Sequence, residues 1–331
     1  MTKKQKSILG LDIGSYSIKI TEAQVVDNEL LLSRCQLFTL PLEKGLSSDF
    51  LKSILQKINL KNYRVIVSVQ GQGVILRYLS LPKVNKDELK GALRFELEKN
   101  IPFSIDDVFI DGQIIKAIDD KVLVLAVAAK KKFIHDLLTL LGKSGIYPEA
   151  IDCNTIALAN VFTHMAIENK KKTNAILNIG CSFTSLSILK EDLPLFNRDI
   201  PIGSSYLTKK IADTLNINSF QAESLKLNPK EKADEVRQIS ESVLEDLISE
   251  IKFSFGYFES KEDSSIDSVY VSGGFANFPG IDKSFTQAFN IECKFFDPFT
   301  AFKKTDNFDG SLMESSLYYP ISLGLVLRGK P

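Results

Sequence analysis

The feature that most restricts this chain is an echo. Leu11-Asp12-Ile13-Gly14-Ser15-Tyr16-Ser17-Ile18-Lys19 near the start returns, without a gap, as Leu177-Asn178-Ile179-Gly180-Cys181-Ser182-Phe183-Thr184. Both copies read apolar, short polar carboxyl or amide, Ile, Gly, then a stretch rich in hydroxyl side chains. The second begins close to half a chain-length after the first, and a repeat at that spacing points to two related domains. The length agrees: a chain of 331 residues exceeds what one hydrophobic core ordinarily serves, ~250–300 residues at most.

Each copy carries the same local pattern. Ile8–Ile13 and Ala175–Ile179 read as strands, and alternation resumes after each turn at Ile18 and Ile20, then at Leu186 and Ile188. That predicts one β-hairpin in each half. Successive backbone N–H groups in such a turn form a positive concavity suited to phosphate, and two facing turns would hold a polyphosphate between them. Either turn taken alone is equally an ordinary hairpin. A third segment runs from the apolar strand at Val269 into Gly273-Gly274, where backbone can approach a ligand closely, and a helix is expected from near Ile281. Between these features, Glu223 and Lys226 stand three apart on one helix face. Leu244, Ile248, Ile251, Phe255 and Phe258 form the stripe of a core-facing helix. Gly71-Gln72-Gly73 reads as a hairpin turn and not a dinucleotide fingerprint, because Val74–Leu81 alternates like a strand instead of opening a helix.

Composition narrows the function classes. Lys+Arg (41) and Asp+Glu (41) cancel, so no net field draws the chain to nucleic acid or to an anionic membrane. Four scattered cysteines without a CxxC, and two histidines, argue against a disulfide framework, a zinc site or a His-dependent triad and fit a reducing cytosol. The longest apolar run, Val122–Ala129, is far short of the ~20 residues a bilayer requires. The basic start at Met1–Lys6 leads into no continuous apolar stretch of the secretory kind. A cytoplasmic protein with no direct membrane insertion and no nucleic-acid partner is expected.

Inside the first half lies a unit with its own rhythm. A helix is expected over Asp87–Lys99 with Leu89, Leu93 and Leu97 on one face. Strands over Val108–Ile115 and Val122–Ala129 follow, then a helix over Phe133–Gly142 that ends at glycine.

The order of hairpin, second hairpin, Glu-x-x-Lys helix and Gly-Gly strand resembles the actin/Hsp70/hexokinase-type ATPase superfamily. The place of the inserted unit resembles the FtsA branch of it. Within that branch Leu81-Pro82, Arg94-Phe95-Glu96-Leu97-Glu98-Lys99-Asn100-Ile101-Pro102-Phe103, Ala128-Ala129-Lys130, Gly145-Ile146-Tyr147-Pro148, Ile200-Pro201-Ile202-Gly203 and Pro320–Leu325 resemble the PilM family of type IV pilus assembly proteins. The likeness runs from about Ile8 to Leu327. It implies an α/β fold of duplicated actin/Hsp70-like (ribonuclease H-like) domains with an FtsA-type inserted subdomain. The implied division is 1–81 plus 147–171 for the first domain, 82–146 for the inserted α+β subdomain and 172–331 for the second domain. Residues 205–262 of the last would be its helical nucleotide-side subdomain.

The resemblance also implies ATP and Mg²⁺ as ligands. Asp12 would hold Mg²⁺ through water. Gly14, Ser15, Tyr16, Ser17 and Lys19 from one hairpin, and Gly180, Cys181, Ser182, Phe183 and Thr184 from the other, would bind phosphate. Gly203, Glu223, Lys226, Gly273, Gly274 and Phe275 would bind the nucleoside. A solvated strand-edge lysine and a surface ion pair are the plain alternatives for Lys19 and for Glu223–Lys226. Two positions depart from the ATPase pattern: Asn178 stands where many relatives carry Asp, and Asn154 opens the interdomain helix near the attacking water. An amide accepts no proton and supports a metal less than a carboxylate does, so weak or absent hydrolysis is expected unless Asp152 substitutes. The expected partner is the N-terminal cytoplasmic peptide of PilN, a bitopic inner-membrane protein. It would lie in a groove between the first subdomain and the insertion near Ile101-Pro102-Phe103. Other type IV pilus inner-membrane and motor components would follow, placing the chain in the cytoplasm at the inner membrane. A filament-forming ATPase of the FtsA/MreB type and a GspL-like type II secretion component are the alternatives.

Overall fold

Alternating apolar residues build three sheets, and the connections between them carry the helices. The computed structural model describes residues 7–41, 45–83, 86–165 and 172–330. The basic start at 1–6 and the boundary expected at 171 lie outside them. Along the chain come β1 (Ser7–Ile13), β2 (Ser17–Val26), β3 (Glu29–Thr39), α1 (Ser48–Leu55), β4 (Tyr63–Val69), β5 (Val74–Pro82), α2 (Lys86–Asn100), β6 (Val108–Ile118), β7 (Lys121–Lys130), α3 (Lys131–Lys143), β8 (Ala150–Cys153) and α4 (Asn154–His164). The second half continues with β9 (Thr173–Ile179), β10 (Thr184–Lys190), β11 (Leu193–Ile200), α5 (Ser204–Leu215), α6 (Ser219–Leu227), α7 (Ala233–Glu262), β12 (Ser268–Ser272), α8 (Ile281–Phe289), β13 (Cys293–Phe295), β14 (Lys303–Leu312) and α9 (Pro320–Arg328).

The duplication is explicit in the topology. The second sheet is ordered β11-β10-β9-β12-β13, and the same pattern, β3-β2-β1-β4-β8, forms the body of the first. In each, two antiparallel hairpin pairs lead into two parallel neighbours. A parallel neighbour needs a crossover, usually helical. Helices α5–α7 supply one in the second half, and α8 supplies another. In the first half the β4-to-β8 crossover holds the inserted unit. Its sheet is ordered β5-β7-β6, and α2 covers one face through Leu93 and Leu97, packed with Leu79, Leu81, Val122 and Val124.

The expected boundaries shift in two places. Strand β5 lies before the boundary expected at 82, yet it pairs along its length with β7, so the inserted sheet starts at Val74. Helix α3, expected within the insertion, buries Leu141 in the core of the first sheet with Leu9, Leu11, Ile18 and Leu51. The chain end shifts too. Strand β14 adds to the first sheet beside β3, and α9 packs on β1, β2 and β4. Conversely, α4 leaves the first sheet and packs on β10 and β11 of the second. Each half thus lends a helix to the seam, where α4 and α9 cross. The crossing is close because of glycine: a Cβ on Gly324 would stand 2.0 Å from the Ala157 carbonyl oxygen, and one on Gly10 of β1 would stand 2.3 Å from that of Ser322. Among the described residues no helix is long and apolar enough to cross a membrane.

Candidate functional site

The two echoing turns close in the same way. The Gly14 N–H donates to the Ser17 carbonyl at 3.1 Å, and the Gly180 N–H to the Phe183 carbonyl at 2.9 Å. Strand register then sets Asp12 opposite Lys19 and Asn178 opposite Ser185. The glycine N–H groups are therefore spent on the turns, and any phosphate must be met by the donors that follow them. The hairpin tips touch: Ser182 Oγ donates to Ser15 Oγ at 2.7 Å.

Behind the tips lies a cavity of about 460 Å³, within the usual range of ligand sites, ~300–1,000 Å³. Asp12, Gly14, Ser15, Tyr16, Ser17, Lys19, Gly180, Cys181, Glu223, Lys226, Gly274 and Phe275 line it. The other expected site residues support its walls instead. Thr184 is buried and donates to the Ile202 carbonyl at 2.7 Å. The Phe183 ring packs against Gly71 of the β4–β5 turn. Gly203 precedes α5, whose Ser204 and Ser205 N–H groups donate to the carbonyls of Gly180 and Cys181. Gly273 has φ +92° and its Cβ position falls 2.4 Å from the Ile179 carbonyl oxygen, so only glycine seats the strand end against the second hairpin.

Two charge pairs shape the floor. Lys19 Nζ lies 3.4 Å from Asp12 Oδ2, with both side chains largely buried, so Lys19 is not a solvated edge lysine. Lys226 Nζ lies 2.7 Å from Glu223 Oε2. Thr208 Oγ1 of α5 donates to Glu223 at 2.6 Å and accepts from Lys226 at 2.9 Å. With both side chains under 15% exposed, this is a buried network and not a surface ion pair. Tyr16 reaches across from the first hairpin: burial first, then the carboxylates of Glu223 and Glu314, raise its phenol above the ordinary value.

Sequence reasoning missed part of the lining. Tyr318, Glu314 and Asn277 come from segments that return to the cleft late in the chain, and Tyr318 lies against Gly274. Gln70 follows β4 directly and accepts from Asn154 Nδ2 at 2.8 Å; Asn154, Gln70 and Asn178 all face the cavity. Asp152 does not, so it cannot substitute there. It lines a smaller hollow, about 230 Å³, between β8, Val69 and the inserted sheet, with Val74, Phe109, Asp111, Val127 and Ala129. Ile101 instead packs under α2 and Phe103 lies against Lys130, so the Ile101-Pro102-Phe103 segment does not line the hollow.

Asp152 is 8% exposed and its Oδ2 accepts no hydrogen bond; Arg328 is 3.9 Å away. Burial raises its pKa. A raised carboxyl pKa means that the folded state holds the proton more tightly, so stability falls as pH rises from the ordinary carboxylate range through the raised value. Asp152→Asn should therefore raise the melting temperature at neutral pH by a few degrees, since the amide keeps the shape of the side chain and removes the desolvated charge. The gain should vanish in acid. Equal melting of the two proteins at neutral pH would contradict it.

A metal at the larger cavity would rest on few protein ligands. Among the described residues no three His, Cys, Asp or Glu side chains are grouped to hold one. Asp12, the carboxylate paired with Lys19 rather than with the Glu223 network, shares the lining with the amides of Gln70, Asn154 and Asn178 and suits Mg²⁺, which keeps several waters and leans on one or two carboxylates plus phosphate.

Comparison with known proteins agrees with this architecture. The family model described as type IV pilus assembly protein PilM matches residues 10–330. Among solved structures, the PilM-PilN type IV pilus biogenesis complex is 24% identical with a TM-score of 0.85, and 99% of each chain is covered. The ethanolamine utilization protein EutJ from Carboxydothermus hydrogenoformans is 13% identical, TM-score 0.54, over 97% of this chain and 89% of that one. MreB5 of Spiroplasma citri bound to ADP is 12% identical, TM-score 0.52, over 98% and 96%. The fold is that of the actin-like ATPases, and with nearly its whole length matched the chain belongs to the PilM family of type IV pilus assembly proteins.

Proposed function

We propose that this chain is an ATP-binding scaffold of the pilus assembly platform, holding Mg-ATP between its halves and a membrane partner's peptide beside its inserted sheet. The meeting of two equivalent hairpin tips over a cavity with a buried carboxylate carries the nucleotide reading. Asp12, Glu223 and Glu314 against Lys19 and Lys226 leave the lining net negative, so a bare polyphosphate is disfavoured and the Mg²⁺ complex preferred. The metal would offset phosphate charge when bound. Residues Ser15–Ser17 and Cys181–Ser182 would meet the phosphates, and the Glu223–Lys226 network would face the nucleoside. The likeness to MreB5, solved with ADP and with AMPPNP, supports the same assignment.

Hydrolysis would be weak. Asn178 and Asn154 supply no general base, and losing one oriented catalytic contact costs ~100–1,000-fold in rate. Asn178→Asp should raise single-turnover hydrolysis while altering nucleotide affinity much less. Brisk hydrolysis by the parent would contradict the scaffold reading and favour a filament-forming ATPase.

The smaller hollow suits the partner. Its walls are mostly apolar, and Asp152 with Asp111 offers carboxylates to a basic or N–H-bearing group on an extended peptide. The related complex is of PilM with PilN, and the N-terminal peptide of PilN is the expected occupant. That would localise the chain to the cytoplasmic side of the inner membrane through its partner. Titrating a fluorescent peptide of that sequence should saturate at one site per chain; Val127→Glu in the hollow wall should abolish binding. Unchanged affinity in that variant would place the peptide elsewhere.

A further inference from the structure

The nucleotide cleft and the hollow are separate cavities, yet the β4–β5 connection reaches both: Gln70 lines the cleft, and Val69 and Val74 line the hollow. Strand β11 is the edge of the second sheet and β5 the edge of the inserted sheet. Side chains alternate along β11. Arg198 turns to α7, donating to Glu250 Oε2 at 2.6 Å and Ser254 Oγ at 2.8 Å. Its neighbours Asn197 and Asp199 turn the other way and form two matched rungs. In the first, Ser185 Oγ donates to Asp199 Oδ1 at 2.8 Å, and the Gly71 N–H donates to Asp199 Oδ2 at 3.0 Å. In the second, Ser187 Oγ donates to Asn197 Oδ1 at 2.6 Å, and Asn197 Nδ2 donates to the Tyr78 hydroxyl. Ser185 and Ser187 are fully buried, so both rungs are fixed on the second-half side by its phosphate hairpin.

Their other ends hold the stretch Gln70–Tyr78. Gln70 faces the nucleotide cavity and bonds Asn154. Val69 and Val74 line the hollow, and Val74 lies on the same face of β5 as Tyr78. Phe183, in the turn of the second hairpin, presses on Gly71. The β4–β5 turn and β5 are thus tied to the second half, whereas β8, the opposite wall of the hollow, belongs to the first sheet, so any movement of one half against the other would fall on the hollow.

We infer that the Asp199 and Asn197 rungs are a latch that makes the inserted sheet travel with the second half, so that nucleotide in the cleft sets the width of the hollow. Asp199 and Asn197 line neither cavity; they are positioning residues. The inference rests on the nucleotide reading given above.

Amide hydrogen exchange followed with and without Mg-ATP tests it. In the parent, Mg-ATP should slow exchange in both hairpins and also change exchange in β5 and β8. In Asp199→Ala, and in Tyr78→Phe, which keeps the ring and removes only the hydroxyl, the hairpins should remain protected while the response of β5 and β8 is lost. A purely structural role would alter exchange with and without nucleotide alike and leave that response in place. Hairpins protected with β5 and β8 silent in the parent, or an undiminished response in both variants, would overturn the latch alone. Unprotected hairpins in the parent would overturn the nucleotide reading, and the latch with it.

Discussion

Gly324→Val should destabilise the protein by about 3 kcal/mol or more, near the top of what forced overpacking costs. The Cβ position meets the backbone of Ala157, with oxygen at 2.0 Å, carbonyl carbon at 2.5 Å and Cα at 2.9 Å, so no side-chain rotamer relieves it. Relief requires α9 to lift from α4. That in turn strains the buried Thr21–Ser322 hydroxyl pair at 2.8 Å and the layer of Leu323, Leu325 and Val326, which is fully buried. Because α4 and α9 are the elements the halves exchange, the change should also broaden the melting transition as the halves uncouple. Denaturant unfolding followed by circular dichroism measures both; a parent-like midpoint and cooperativity would show that the crossing bears little of the stability.

Mg-ATP should have the second large effect. A ligand at ~100 times its dissociation constant stabilises the folded state by ~2.7 kcal/mol, and ~2–4 °C of melting temperature accompanies each kcal/mol for domains of ~150–250 residues. Asp12→Ala leaves Lys19 without its partner and so lowers stability, but it opens no apolar core, and it should weaken Mg-nucleotide binding by ~10–100-fold, the loss expected of a charged contact worth ~1.5–3 kcal/mol. ATP without Mg²⁺ should shift the parent far less.

The residues that declared themselves in sequence were those whose role is local. A Gly followed by hydroxyls between two alternating stretches can only be a turn, and its recurrence half a chain later exposed the duplication that the two sheets display. Asn154 at the head of its helix follows from the resemblance to the actin-like ATPases and not from any local pattern, and α4 does open there. What sequence hid depends on which elements meet. Alternation marked Val74–Leu81 as a strand without revealing that its partner is β7. Pro82 looked like a boundary, and it is only the strand's last residue. Nothing local in Pro320–Leu325 says that this helix crosses back to the first half, so Tyr318 and Glu314, carried to the cleft by that return, escaped notice. Gly324 and Gly10 were the available signal, being small residues on otherwise apolar elements. Asp152 shows the converse. It sits two residues before Asn154, but the chain passes from β8 into α4 between them, which breaks the period of two that would set both on one face; Asp152 lines the hollow and Asn154 the cleft.

One Mg-nucleotide is expected between the two hairpins. Equilibrium dialysis with radiolabelled ATP and Mg²⁺ tests this, comparing the parent with Asp12→Ala and with Lys226→Ala, which alter the lining contributed by the two halves of the chain. Binding of one nucleotide per chain by the parent, weakened in each variant, is the predicted result. No saturable binding by the parent, or binding that neither variant alters, would contradict it.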